Sequence, residues 1–193
     1  MREFVSDIGT EADRLQRTTE KLLDLSRRDD GVQAARVPVD LGEVARSTLR
    51  LLSPLAEGLG VTLRCEPEPG CIISASEDDV YQIVFNLAEN AVKYNVEGGS
   101  VDIRVRRGEG RILLDVEDTG IGIPEADLPN IFSRFYRVDK ARSRERGGSG
   151  LGLSIVHDAV AAMGGKIDVH ARESGGTRFT VTFPGYSGKE EAQ

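Results

Sequence analysis

The chain has 193 residues, of which 39% are hydrophobic and 30% are charged, with a formal net charge of −7 and no tryptophan. This length supports one full-sized domain with an appendage, and the composition is that of an ordinary globular protein. The negative charge disfavours nucleic acid and anionic membrane surfaces as partners. Because the sequence shows neither a long apolar run nor a signal-peptide pattern, we expect a cytoplasmic chain, with a membrane anchor elsewhere in the parent protein left open.

Apolar residues recur every seven positions near the N-terminus, at Ile8, Leu15 and Leu22. Charged side chains lie mostly off this seam, so the pattern predicts a long amphipathic helix that packs against another helix. A glycine-containing segment after it reads as a linker. The predicted divisions are a helix over 1–30, a linker over 31–36, a main domain over 37–186 and a disordered tail over 187–193.

From residue 37 onward, helix and strand patterns alternate. Asp40 followed by Glu43 is typical of a capping box, which opens a helix to about Leu59. A second helix is predicted from Ser76 to Tyr94, because acidic residues fill its first turn. These helices, a third one and the strands predict a two-layer sandwich of α and β structure. The third helix is predicted over 153–163, and the strands over 61–65, 71–74, 101–106, 112–117, 166–171 and 177–183.

Two cysteines, Cys65 and Cys71, flank a proline-rich turn. If the strands around this turn form a hairpin, the thiols could face each other, and a disulfide is geometrically conceivable. Two free thiols in a reducing cytosol are the simpler interpretation. Together with two distant histidines, the cysteines give no metal-site spacing.

Three polar residues of the second helix, Asn86, Asn90 and Lys93, are spaced to share one face. Polar groups on a half-buried helix are costly unless they meet a polar ligand. An amide oxygen suits Mg²⁺, and a lysine suits phosphate oxygens. Taken alone, this segment would be better explained as a solvated helix face.

Three further segments carry candidate chemistry. Asp118 ends a predicted strand and could accept a hydrogen bond from an exocyclic amine, while Gly120 and Gly122 let backbone approach a flat ring. Residues 131–137 combine aromatic side chains with two arginines. The glycine run over 147–153 opens a helix whose free N–H groups suit phosphate. No strand precedes this run and no Gly-Lys-Ser/Thr closes it, which argues against Rossmann and P-loop sites.

In this order and spacing, the four segments resemble the N, G1, F and G2 boxes of the histidine kinase ATP-binding domain, within the wider gyrase, Hsp90 and MutL ATPase group. Gly175-Gly176-Thr177 resembles a third glycine box. The predicted N-terminal helix resembles the second helix of a dimerisation and phosphoacceptor domain. The resemblance covers about Val37 to Phe183. It implies an α+β two-layer sandwich, the Bergerat fold, with a mixed, mostly antiparallel sheet packed against three helices and preceded by one long helix.

The resemblance also implies a role for each matching residue. Asn90 would ligate Mg²⁺ with support from Asn86, while Lys93 and Tyr94 would contact phosphate and close over the nucleotide. Asp118 would read the adenine amino group. The remaining nucleotide contacts are expected at Gly120, Gly122, Gly148, Gly150, Leu151, Gly152 and Thr177.

Two arginines of the F box are candidates for transition-state stabilisation. Arg137 is expected to contact the γ-phosphate, with Arg134 as the second choice. Phosphoryl transfer depends mainly on positioning and charge neutralisation, so a metal ion, a lysine and an arginine are the expected parts. ATP and Mg²⁺ are therefore the expected substrate and cofactor.

Kinases of this family phosphorylate a histidine on the first helix of the phosphoacceptor domain. His157-Asp158 superficially resembles such a pair, but it lies on the helix after the glycine run, where a surface or packing histidine is the simpler interpretation. We therefore expect the first phosphoacceptor helix to be absent and the γ-phosphate of ATP to go to a histidine outside this chain. The expected partners are ATP, a phosphoacceptor-histidine domain, a cognate response regulator and a second copy bound through the N-terminal helix.

Two other functions stay open at this point. An ATP hydrolase of the gyrase and Hsp90 group would place a glutamate where Asn86 stands, so the sequence argues against it. A non-catalytic ATP-binding regulatory module, including an anti-sigma-type kinase, is the second. The long N-terminal helix argues mildly against the anti-sigma version.

Overall fold

The computed structural model describes residues 35–138 and 149–186. The predicted helix over 1–30, most of the linker, Gly148 and the tail over 187–193 lie outside these residues. The described part contains three α-helices, seven strands and one short 3-10 helix. In chain order they are β1 Val37–Asp40, α1 Leu41–Gly58, β2 Thr62–Pro67, β3 Ile72–Ala75, α2 Glu77–Lys93, β4 Ser100–Gly108, β5 Arg111–Asp118, the 3-10 helix Leu128–Asn130, α3 Gly152–Ala162, β6 Lys166–Ala171 and β7 Thr177–Pro184.

The first helix begins at the Asp40 cap that the sequence predicts, and the second begins one residue after its predicted start. The side chain of Asp40 accepts hydrogen bonds from the backbone N–H groups of Gly42 (2.9 Å) and Glu43 (3.2 Å). The Ser76 hydroxyl caps α2 in the same way, by accepting from the N–H of Asp79. These bonds satisfy donors that a helix leaves unpaired at its start. No helix in the described ranges has the length and apolar character needed to cross a bilayer.

Five strands form the main sheet, in the order β2-β4-β5-β7-β6. The pair β2–β4 is parallel, whereas β4–β5, β5–β7 and β6–β7 are antiparallel. The predicted hairpins β4–β5 and β6–β7 are therefore confirmed, as is the mixed, mostly antiparallel sheet. The sheet order places the end of β5 beside the start of β7, two segments that are far apart in the sequence.

The two strands around the proline-rich turn do not pair with each other, so the hairpin that would bring the two thiols face to face does not form. Strand β3 pairs antiparallel with β1, a strand that the sequence analysis missed, in a separate two-stranded sheet. Strand β2 instead joins the main sheet through β4. Cys65 on β2 and Cys71 before β3 are both free, so the simpler interpretation of two thiols is correct.

The three helices cover one face of the main sheet and form a single large core with it. Its members come from both layers, so helix and sheet each bury an apolar face that neither could bury alone. Burial of each large aliphatic side chain contributes about 1.5–3 kcal/mol. The largest fully buried side chains include Leu41, Ile73, Ile83, Leu87, Ile103, Leu114 and Phe183.

The opposite face of the sheet carries charged side chains around Asp115 of β5, which is fully buried. Its carboxylate accepts hydrogen bonds from the Thr180 hydroxyl (2.6 Å) and from Nε of Arg106 (2.9 Å), and it lies 3.4 Å from Nε of Arg178. Burial alone would raise the pKa of this carboxyl. The hydrogen bonds from Thr180 and Arg106 and the two guanidinium charges outweigh burial and lower the pKa.

We predict that Asp115 makes the fold sensitive to acid. Because its pKa is lowered in the folded state, its contribution to stability is complete above the unfolded value of about 3.9 and is lost as the pH falls toward the folded value. Asp115→Asn should lower the free energy of unfolding by about 1–3 kcal/mol at pH 7, and the difference from the unmodified chain should shrink near pH 3. Urea unfolding at several pH values measures this.

The matched control is Asp168→Asn, which removes an exposed carboxylate that lies 2.8 Å from Nζ of Lys166. An exposed ion pair contributes little, so this variant should unfold like the unmodified chain at every pH. Equal acid sensitivity of the Asp115 variant and the unmodified chain would contradict the assignment.

Candidate functional site

Asp118, the last residue of β5, is buried and anchors one end of the site. Its Oδ1 atom accepts hydrogen bonds from the backbone N–H groups of Gly120 (2.8 Å) and Thr177 (3.2 Å). Its backbone carbonyl accepts a hydrogen bond from Nη1 of Arg172 (2.6 Å). Among the described residues, the hydrogen bonds to this carboxylate end on Oδ1, so Oδ2 keeps its acceptor capacity for a ligand.

Burial raises the pKa of Asp118 above that of an ordinary aspartate. The two backbone N–H groups and the charge of Arg172 favour the ionised form, but they do not fully offset the loss of solvation. A buried carboxyl with a shifted pKa at a strand end is a candidate for ligand recognition.

Two glycines, Gly120 and Gly176, allow close contacts between backbone segments around Asp118. A Cβ atom at Gly120 would overlap the carbonyl oxygen of Tyr94, and the next residue, Ile121, donates its N–H to that same oxygen (3.1 Å). Gly176 has a φ of +88°, and a Cβ atom there would overlap the carbonyl oxygen of Asp118. The turn after β5 is therefore held between the end of α2 and the start of β7.

Helix α2 supplies the polar face predicted for the site. Asn86 is buried, and its Nδ2 group donates to the carbonyl of Gln82 (2.8 Å). Asn90 and Lys93 are half-buried one and two turns farther along. Nζ of Lys93 lies 2.8 Å from a carboxylate oxygen of Glu89, an ion pair that the sequence analysis did not predict.

Helix α3 begins beside Asn86. A Cβ atom at Gly152 would lie 2.9 Å from Oδ1 of Asn86, so glycine permits this contact between the two helices. Leu151, at the N-cap position, is buried and makes no side-chain capping bond. The first N–H groups of α3 thus lack a side-chain cap, and together with the helix dipole they suit an anion. Gly150 packs against the backbone of Phe135, and the Phe135 N–H donates a hydrogen bond to the Gly150 carbonyl (2.9 Å).

The two candidate arginines occupy different environments. Nη2 of Arg134 lies 3.3 Å from a carboxylate oxygen of Asp158 on α3, and the adjacent rings of Phe132 and His157 are 5.5 Å apart. In contrast, Nε and Nη2 of Arg137 are buried and make no hydrogen bond within the part of the chain that the structure describes. Arg134 therefore has a carboxylate partner on α3, whereas two donors of Arg137 have no hydrogen-bond partner among the described residues.

The structure thus brings Asp118, Gly120 and Thr177 together beside the C-terminal end of α2, and it brings Asn86, Gly150, Leu151 and Gly152 together beside the middle of that helix. Gly122, with a φ of +71°, faces Gly176. Sequence reasoning missed the contact of Arg172 with Asp118 and the buried Asn95 next to Tyr94. No local pattern signals the arginine contact, because it depends on the pairing of β5 with β7.

Residues 75–187 match the family model described as "Histidine kinase-, DNA gyrase B-, and HSP90-like ATPase". The chain therefore belongs to this ATPase family. Among similar proteins, the sensor histidine kinase YkoH of Bacillus subtilis is 32% identical over 188 residues, which cover 97% of this chain and 40% of that protein. WalK of the same organism is 43% identical over 124 residues, which cover 63% of this chain and 20% of that protein.

Solved structures agree with these relatives. Full-length ShkA in complex with AMPPNP has a TM-score of 0.82 and 30% identity over 95% of this chain and 38% of that one. The mycobacterial sensor histidine kinase MprB has a TM-score of 0.68 and 28% identity over 78% of this chain and 97% of that one. The resemblance to a histidine kinase ATP-binding domain and the two-layer fold are thereby confirmed. The chain spans less than half the length of YkoH and WalK.

We predict that Asp118 makes ATP binding sensitive to pH. Because burial raises its pKa, Asp118 takes up a proton at a higher pH than an ordinary aspartate, whose pKa is about 3.9. Protonation removes the charged acceptor, so ATP affinity should fall as the pH is lowered toward the raised pKa of Asp118. Asp118→Asn should bind ATP about tenfold more weakly or worse at pH 7.5, and its affinity should no longer follow this transition. Calorimetric titration measures both effects.

Glu125→Gln, which changes an exposed carboxylate after the glycine-containing turn, serves as the control. It should keep the affinity and the pH profile of the unmodified chain. A pH profile that persists in the Asp118 variant would contradict the role assigned to this carboxylate.

Proposed function

We propose that this chain is the ATP-binding catalytic portion of a two-component sensor histidine kinase, and that it transfers the γ-phosphate of ATP to a histidine outside the chain. The observation that carries the proposal is a pair of complementary subsites along α2, one at its C-terminal end and one at its middle. A buried carboxylate with a free acceptor adjoins Tyr94, and a helix start without a side-chain cap adjoins Asn86. Eight residues of helix separate these points by about 12 Å.

The subsite at Asp118 suits adenine. Oδ2 can accept a hydrogen bond from the exocyclic amine, and the fixed Oδ1 bonds to Gly120 and Thr177 orient the carboxylate for this contact. Guanine carries a carbonyl oxygen where adenine carries its amine. Two acceptors would then face each other, so the subsite disfavours GTP.

The subsite at the start of α3 suits the phosphates. The backbone N–H groups of the first turn and the helix dipole favour negative charge, and Gly150 and Gly152 let this segment pack closely against Phe135 and Asn86. Lys93 is held by Glu89 and can exchange that carboxylate for a phosphate oxygen. The exchange keeps the lysine charge paired both with and without nucleotide.

The donor chemistry of α2 fits Mg²⁺. Asn90 offers an amide oxygen, a hard ligand of the kind Mg²⁺ takes in small number while it keeps most of its waters. Its place between Asn86 and Lys93 on one half-buried face sets it beside the groups assigned to phosphate. When bound, Mg²⁺ neutralises phosphate charge. Asn86 keeps α2 and α3 in register through its contact with Gly152.

Phosphoryl transfer then depends mostly on positioning and charge. A neutral imidazole nitrogen attacks the γ-phosphorus, the bond to the β-phosphate oxygen breaks, and ADP leaves with that oxygen. The free donors of Arg137 suit the charge on the transferred group. His157 packs against Phe132 beside Asp158, which accounts for it without an acceptor role.

Hydrolysis of ATP is disfavoured as an alternative. The side chain at position 86, where such hydrolases place a glutamate, is an amide, which cannot act as a general base. A cognate response regulator and a second copy of the chain are further parts of the proposal. A histidine kinase structure that is 23% identical to this chain, ThkA, has been solved in complex with the response regulator protein TrrA.

We predict Mg²⁺-dependent phosphotransfer to an added domain. The chain is incubated with γ-labelled ATP and Mg²⁺, alone and with a phosphoacceptor-histidine domain of the same system. Acid-labile, base-stable label should appear on the added domain. Asn90→Ala should weaken the Mg²⁺-dependent part of ATP binding by about 10- to 100-fold or more. Loss of a group that only supports a metal ligand already costs about this much, and Asn90 is proposed as a ligand itself. Labelling of His157 or His170, or free phosphate as the main product, would contradict the proposal.

We predict that the two F-box arginines differ in effect. Arg137→Gln should lower kcat for phosphotransfer by about 10³-fold or more with little change in ATP affinity, because its charge is needed in the transition state. Arg134→Gln is the matched variant. It breaks an exposed ion pair with Asp158, so its effect on kcat should stay within about tenfold. Single-turnover assays separate kcat from binding, and equal losses for both variants would contradict the assignment.

A further inference from the structure

Asn95 lies directly after the C-cap of α2 and is buried, with 8% of its surface exposed. Its Nδ2 group donates to the carbonyls of Ala91 (3.0 Å) and Ser100 (2.9 Å). Its Oδ1 atom accepts from the Val96 N–H (3.0 Å) and from the Thr119 hydroxyl (3.2 Å). The side-chain amide thus uses both donors and both acceptor positions.

The partners of Asn95 belong to three separate elements. Ala91 lies in the last turn of α2, Ser100 begins β4, and Thr119 follows β5. Thr119 closes the network, because its hydroxyl accepts the N–H of Ser100 (2.8 Å) and its own N–H donates to the Ser100 carbonyl (3.1 Å). One buried amide therefore ties the end of α2 to the base-side turn, defined as residues 118–122.

Glycines on both sides leave this connection little freedom. A Cβ atom at Gly99 would overlap Oδ1 of Asn95 and lie 2.7 Å from the Thr119 hydroxyl. A Cβ atom at Gly120 would lie 2.9 Å from Cα of Asn95. The amide is thus packed as tightly as it is bonded, so a change in its shape or polarity displaces α2 and the base-side turn relative to each other.

We propose that Asn95 is a positioning residue that couples adenine recognition to phosphate and metal binding. This inference rests on the proposed function. The base-side turn carries Asp118, and the polar face of α2 carries Asn90 and Lys93. One ATP molecule gains from both only if they are held in a fixed relation, because small misplacements are costly in catalysis.

Each half keeps its own support when Asn95 is changed. The bonds of Asp118 to Gly120 and Thr177 do not involve Asn95, and neither does the contact of Asn86 with Gly152. A ligand that uses one half should therefore be affected less than a ligand that spans both. Adenosine and ATP·Mg²⁺ are two such ligands.

The test substitutes Asn95→Asp in the full chain. Aspartate has the same shape, but it loses both donors and sets a carboxylate oxygen against the carbonyls of Ala91 and Ser100. ATP·Mg²⁺ should bind about tenfold more weakly, adenosine should change by less than about threefold, and kcat with an added phosphoacceptor domain should fall by about 10- to 100-fold. Calorimetry and single-turnover assays at a temperature where circular dichroism shows a folded chain provide these values.

Two variants separate coupling from stability. Thr119→Val removes the hydroxyl partner of Asn95 at nearly constant shape. It should also weaken ATP·Mg²⁺ binding more than adenosine binding, and it serves as the test if Asn95→Asp does not fold. Val105→Ala creates a cavity in the core at the distant end of β4 and destabilises the fold without touching this network. It should leave both affinities unchanged.

The outcomes distinguish this inference from the function on which it rests. Equal weakening of ATP and adenosine by the Asn95 and Thr119 variants, or the same split in Val105→Ala, overturns the positioning role alone. Failure of the unmodified chain to bind ATP·Mg²⁺ overturns the proposed function and the inference with it.

Discussion

The buried carboxylate of Asp118 is the constraint around which the site is organised. An ionised group out of water is costly unless hydrogen bonds and charges compensate it. Here the compensation comes from the Gly120 N–H, from the Thr177 N–H and from the nearby Arg172. Two of these three groups lie on or beside β7, so the carboxylate requires β7 next to β5. The base recognition that we propose for Asp118 therefore depends on the order of the strands in the sheet.

Helix α2 extends this constraint to the other half of the site. Its buried face packs in the core through residues such as Ile83 and Leu87, so the helix is fixed relative to the sheet. Two polar residues then fix where the neighbouring segments lie: Asn86, in the middle of the helix, contacts Gly152, and Asn95, just after its C-terminal end, contacts Thr119. Because both contacts come from one rigid element, the phosphate side and the base side inherit their separation from helix geometry rather than from loops.

Local chemistry made much of this predictable from the sequence. Asp40 and Ser76 cap the predicted helices, and the two confirmed hairpins join adjacent strands through short turns. The errors are non-local. Strand β1 has four residues and gains its partner only through β3, while β2 pairs in parallel with β4 across the whole of α2. The bond from Thr177 to Asp118 spans 59 positions, a distance over which no spacing rule applies.

The two arginines show what a structure adds to a motif. In the sequence, Arg134 and Arg137 are equivalent cations three positions apart, and either suits a phosphate. In the structure, Arg134 already has a carboxylate partner in Asp158, so moving it to a phosphate would sacrifice one ion pair for another. Two donors of Arg137 are buried without a hydrogen bond in the described part of the chain, which costs about 1–3 kcal/mol for each unsatisfied group. A phosphate bound by Arg137 would recover that cost, and this difference, rather than the motif, is why we propose Arg137 for the γ-phosphate contact.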